Sequence, residues 1–209
     1  MKKLFYACLF IFLFSAAYGI TAAAADNLQG TIVRVAIIDD KDSIALSLKG
    51  RYEISGYSPE RLLMNGPFLS AGVSATKDGL LVGNREIKTP AISIKVARDG
   101  NIYVDGRRFR GGLDIIKKDN GKLMVINHLP LDDYLYGVLY HEVSHRWPME
   151  VLKAQAIAAR TFALYQARQN KTQAYDLRSD IYSQVYGEDV EFDVTQGPKG
   201  EQATNVKKI

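Results

Sequence analysis

The chain is predicted to be an α+β protein, with an antiparallel β-rich N-terminal region and a buried Ala-rich helix in its C-terminal half. From Gly30 to about Ile126, short β-branched or alternating runs are punctuated by glycine-containing turn signals at regular spacing. After Asn127 the texture changes to helical runs that begin next to proline. Across 209 residues, 47% apolar and 24% charged is ordinary globular usage, which excludes wholesale disorder.

The first 25 residues stand apart and read as an export signal. Lys2 and Lys3 form a basic start, Leu4 to Phe14 an apolar run, and Ala23-Ala-Ala25 a small-residue cleavage site before Asp26. The alternative is a retained anchor, since Leu4 to Ala25 would be about 33 Å long as a helix. Either way the remainder is expected outside the cytoplasm, in the cell wall or periplasm or secreted, and touches a membrane only if the leader is retained. The only cysteine, Cys8, falls inside this leader, so a processed chain has no disulfide, Cys nucleophile or thiolate metal site. The formal charge is +4, from 27 Lys and Arg against 23 Asp and Glu. With no basic block longer than two residues, nucleic acid is not an expected partner.

Residues 26–108 are expected to form the β-rich region. Ile32-Val-Arg-Val-Ala-Ile-Ile38 is β-branched, while Ile44 to Leu48, Ile92 to Val96 and Ile102 to Val104 alternate. Lys49-Gly50, Lys77-Asp-Gly79, Arg98-Asp-Gly100, Val104-Asp-Gly106 and Asp119-Asn-Gly121 supply turns, giving roughly seven strands. Leu131 to Tyr140 suits a short helix after Pro130. A longer one is expected from Pro148, at the first helical position, to about Arg168. Between Val151 and Leu164 its alanines and large apolar residues fall on nearly every side, the mark of a helix buried all round. Lys153 and Arg160 share a narrow stripe, with Gln155 pointing elsewhere. Such charges either line a wet groove or pair with carboxylates such as Glu150.

His141-Glu142-Val-Ser-His145 admits a reading of its own. Two histidines at i and i+4 with an intervening glutamate suit a zinc peptidase. Pro148 would end such a helix three residues later, and the only other histidine, His128, lies upstream.

The wider context carries a stronger signal. Leu131-Asp-Asp-Tyr-Leu-Tyr-Gly-Val-Leu-Tyr-His-Glu142, then Trp147-Pro-Met-Glu-Val-Leu-Lys-Ala-Gln-Ala-Ile-Ala-Ala-Arg-Thr-Phe-Ala-Leu164, closely resembles the SpoIID/LytB family, which groups stage II sporulation protein D with the amidase enhancer LytB. Phe109-Arg-Gly111, Val125-Ile-Asn127, Tyr175-Asp-Leu177 and Gln184-Val-Tyr-Gly187 match further elements of that pattern. The resemblance covers Phe109 to Gly187; residues 109–190 are taken as the core and 191–209 as a polar tail of a truncated domain.

The resemblance implies a peptidoglycan lytic transglycosylase that cuts glycan between MurNAc and GlcNAc and leaves a 1,6-anhydro end. Glu142 takes the position of the catalytic glutamate; Trp147, Lys153, Gln155, Arg160 and Tyr186 are candidate substrate contacts. A non-catalytic amidase enhancer that binds peptidoglycan is the alternative, with a cell-wall amidase as further partner, and a zinc metallopeptidase is third. No cofactor or metal is expected, because Arg178, Tyr182 and Ser183 stand where some relatives carry zinc ligands. A single carboxylic acid suffices when the sugar's own C6 hydroxyl is the nucleophile, whereas an ordinary glycosidase needs two. That role calls for partial burial of the acid, and Val138, Leu139, Tyr140, Val143 and Trp147 are expected to supply it.

Overall fold

A computed structural model describes residues 30–57, 59–142, 147–180 and 183–187, together with the backbone of 190–197 and 200–208. The elements below belong to one compact unit, Ile32–Ile209. The leader, with Lys2, Cys8 and Ala25, lies outside the described residues, as do His145 and Tyr182. Among the described residues no helix is long and apolar enough to cross a membrane.

Ten strands precede the first described helix: β1 (Ile32–Lys41), β2 (Ser43–Tyr57), β3 (Glu60–Ala75), β4 (Leu80–Val82), β5 (Arg85–Ile87), β6 (Ala91–Val96), β7 (Asn101–Val104), β8 (Arg107–Phe109), β9 (Gly112–Lys117) and β10 (Leu123–Pro130). The sequence suggests fewer, because three-residue strands such as β4, β5 and β8 are too short for alternation to show. They form one sheet whose main order is β11-β1-β10-β9-β6-β2-β3-β4-β5, with β11 being Leu177–Arg178. The pairing is antiparallel except between β1 and β11. The sheet therefore runs across residue 109, where the sequence suggests a boundary. Val33, Val35, Ile54, Ile92, Ile94, Leu113, Ile115 and Val125, all fully buried, alternate along these strands and face one core.

Two local features depart from the expected pattern. Lys49-Gly50 is not a turn but a bulge inside β2. Gly50 has φ +93°, and a Cβ there would lie 2.9 Å from Gly100 Cα. The register accordingly jumps from Lys49–Phe68 to Tyr52–Gly66. Pro67 lies opposite this bulge, where regular ladder pairing is interrupted. The 16-residue β3 runs straight through Asn65-Gly66-Pro67. By contrast, Asp105-Gly106 forms the expected two-residue hairpin turn, with φ of +51° and +80°.

Helix α1 spans Leu131–Glu142, with Asp132 and Asp133 in its first turn complementing the helix dipole. Helix α2 spans Met149–Gln169; Pro148 is its N-cap residue rather than its first helical one. The expectation that α2 is buried all round is corrected. Only Ala159 and Ala163, four residues apart on one stripe, are buried, while Val151, Ile157 (67%) and Tyr165 are exposed. A small-residue stripe lets one side dock closely, but nothing in an all-round apolar pattern says how many sides are covered. Within the segment taken as a polar tail, β12 (Val190–Gly197) and β13 (Gly200–Lys208) pair as an antiparallel hairpin.

Candidate functional site

The site is built where α1 meets the segment Gln184-Val-Tyr-Gly187. Leu131, Leu135 and Val138 bury one stripe of α1. Glu142 continues that stripe one turn further, so it is placed by the buried part of the helix while its own side chain is exposed. Among the described residues, those expected to enclose Glu142 do so only in part: Val138 is buried beneath, but Tyr140 (37%) and Trp147 (50%) are themselves exposed. Val143 lies outside the described residues.

Each residue of the tetrapeptide engages the helix or the sheet. Gln184 Oε1 accepts a hydrogen bond from Tyr134 Oη at 3.0 Å. The Val185 N–H donates to Glu142 Oε1 at 2.9 Å. Tyr186 packs on Gly137, where a Cβ would come within 2.7 Å of its ring, and its hydroxyl donates to Asn127 Oδ1 at 2.7 Å. Gly187 lies under His141, and a Cβ there would be 2.3 Å from the imidazole. His141 Nδ1 is in turn 2.8 Å from Gly137 O. Asn127, fully buried on β10, donates to the carbonyls of Arg110 and Gly112 at 2.8 and 2.9 Å. The tetrapeptide is thereby locked between helix and sheet, because each buried polar group has its partner. Burial, followed by the Glu142 charge, pushes the Tyr134 hydroxyl pKa well above its ordinary value, so it stays a neutral donor.

The other expected contacts are placed differently. Tyr186 is 2% exposed and lies beneath the site as a support rather than on a surface open to substrate. Lys153 pairs with Glu150 at 3.1 Å, the carboxylate pairing weighed as the alternative to a groove role. Arg160 pairs with Asp132, tying α2 to α1. Gln155 is half-buried on α2, and Trp147 sits just before that helix. Sequence reasoning missed the part played by Gly137, Gly187 and the Val185 amide. The two glycines lie in the quoted motifs, but a backbone donor leaves no side-chain signal.

A sheet-supported helix that ends in one exposed carboxylate, keyed by two glycines, defines the class of site. The family follows from comparison: residues 119–208 match the stage II sporulation protein family, SpoIID, and this segment belongs to it. The match runs through the β12–β13 hairpin, past the boundary suggested at residue 190. The SpoIID domain supports a cell-wall-related role. The chain is 31% identical to an uncharacterized protein of Brachyspira hyodysenteriae, over 74% of this chain and 42% of that one. It is 27% identical to an uncharacterized protein of Chlamydia pneumoniae, over 68% and 52%. A third, of Chlamydia muridarum, is 25% identical over 64% and 46%. The chain spans about half the length of the curated relatives it matches. No solved structure matches it.

Proposed function

We propose that the chain acts outside the cytoplasm on peptidoglycan, as a lytic transglycosylase that cleaves between MurNAc and GlcNAc with Glu142 as the acid and then the base. The observation that carries this reading is the Glu142 carboxyl itself. One oxygen is held by the Val185 N–H at 2.9 Å, the other has no partner among the described residues, and exposed Tyr140 and Trp147 lie nearby in sequence. Protonated Glu142 gives its proton to the glycosidic oxygen as the bond to C1 breaks. The carboxylate then takes the proton of the C6 hydroxyl as that oxygen bonds to C1, closing the 1,6-anhydro ring and returning the acid. One residue thus serves both steps in turn. Because Glu142 is exposed in the free chain, the bound glycan itself supplies the exclusion of water that the chemistry needs.

That same exposure favours a second reading, a non-catalytic peptidoglycan-binding protein that enhances a cell-wall amidase. Mass spectrometry after incubation with glycan strands stripped of stem peptides separates the two. Anhydro-muramyl ends establish cleavage, while intact glycan with protein retained on it leaves binding alone.

A further inference from the structure

A cavity of about 310 Å³, lined largely by polar residues, opens between the C-terminal end of α2 and the segment leading to the tetrapeptide. Gln166, Asn170, Gln173, Tyr175 and Ser183 contribute to its lining, together with two charged residues, Asp176 and Arg178. Both charges are already consumed. Asp176, 5% exposed, is held by the Arg34 guanidinium and by the Arg34 N–H at 2.9 Å. Arg178 pairs with Asp39 at 2.8 Å and Asp180 at 3.2 Å, and it lies over the Tyr175 ring. What is left to meet a ligand is uncharged. The Gln173 amide and the Ser183 hydroxyl have no side-chain partner among the described residues. Gln166 uses only its Oε1, accepting from Asn170 Nδ2 at 3.4 Å.

The walls are also preorganised. Arg34 donates to the carbonyls of Gln173 at 2.7 Å and Asn170 at 3.1 Å, and Asn170 Nδ2 donates to Asp176 O at 2.8 Å. A ligand therefore meets a loop that is already ordered, which lowers the entropy lost on binding.

Primary amides offer donors and acceptors side by side, matching hydroxyl and acetamido groups. The volume is at the low end for ligand sites and suits a single ring rather than a length of polymer. A stem peptide carries free carboxylates and would find no unpaired cation among the described lining residues. Ser183 is two residues before Val185, so their Cα atoms are at most about 7 Å apart. One lining residue of the cavity, Ser183, is therefore close along the chain to the amide that holds Glu142.

We propose that this cavity is a saccharide subsite, holding one N-acetylhexosamine unit of a glycan strand beside the bond presented to Glu142. It rests on the glycan reading above. The test is titration of the full chain carrying Glu142→Gln with the tetramer of N-acetylglucosamine, followed in ¹H–¹⁵N spectra. The side-chain amides of Gln166 and Gln173 shift on binding. Adding Gln166→Ala and Gln173→Ala together weakens binding about tenfold, and Gln173→Ala alone about threefold, as expected for lost neutral hydrogen bonds. Unchanged melting temperatures show that the fold is kept. The subsite is overturned if the substituted proteins bind the tetramer as tightly as Glu142→Gln alone, if the tetramer leaves both amides unmoved, or if an acidic tripeptide shifts them and the tetramer does not. Cleavage by the wild type is read separately: its absence removes the transglycosylase reading and leaves the amide shifts to decide the subsite.

Discussion

Gly187→Ala tests whether the carboxylate is positioned by close packing rather than by its helix alone. A Cβ at residue 187 would sit 2.3 Å from Cε1 and Nε2 of His141 and 3.1 Å from Nδ1, well inside contact distance. The imidazole can swing away only by giving up its 2.8 Å contact with Gly137 O. Overpacking of this kind costs about 1–3 kcal/mol, of which the lost hydrogen bond accounts for about 0.5–1.5 kcal/mol. In a chain of this size each kcal/mol moves the melting temperature by about 2–4 °C. A loss of about 2 kcal/mol therefore lowers it by about 4–8 °C. With His141→Ala in place the obstruction is gone, and Gly187→Ala should cost under about 0.5 kcal/mol. Urea unfolding of the wild type, the two single variants and the double variant measures the coupling. If the single effects simply add, to within about 0.5 kcal/mol, the glycine key does not exist.

Tyr186→Phe leaves Asn127 Oδ1 buried without its donor and should destabilise by about 1–3 kcal/mol. Tyr134→Phe, whose partner Gln184 is 8% exposed and nearer to water, should cost less, and the reverse order in urea melts would contradict this account. For Asp105, burial pushes the carboxyl pKa up, but the Ala45 N–H and the Lys41 ammonium outweigh it and hold it below the ordinary value. A depressed folded-state pKa adds stability above the unfolded value, and this is lost as pH falls through the folded one. Asp105→Asn should therefore flatten the loss of stability below about pH 4, which thermal melts across pH 2–6 would read. Glu142→Gln should reduce glycan cleavage about 10²–10⁴-fold while binding persists; equal turnover by variant and active wild type would remove the catalytic assignment. Arg160→Ala breaks an exposed pair with Asp132 and should cost under about 1 kcal/mol. A large loss of glycan binding without unfolding would instead return Arg160 to a substrate role.

The β-rich half was legible wherever local chemistry dictates geometry. Asp105-Gly106 supports two successive positive φ values, so its hairpin follows from two residues. Gly50 misleads because the same residue type that ends strands also sits in bulges, and only the partner strand decides which. Helix α2 shows the complementary failure. Its composition carries apolar residues on every side, but burial depends on what packs against each side: only Ala159 and Ala163 are buried, with Phe162 and Leu164 partly covered.

The site divides along the same line. Glu142 can be singled out in the sequence because the proposed chemistry requires the side-chain identity of a carboxylic acid. The residues that aim it are legible only as motif letters, with their roles displaced. Tyr186, the natural candidate for a surface contact, is a buried prop whose hydroxyl is consumed by Asn127. The group that touches the Glu142 carboxylate is the Val185 N–H, which every amino acid except proline provides. Side-chain identity at 185 is therefore weakly tied to the contact it makes. By contrast, Gly137 and Gly187 are tied to theirs because any Cβ would strike Tyr186 or His141. The sharpest sequence signals for how this carboxylate is held thus sit at positions with no side chain, and their content is steric exclusion rather than chemistry.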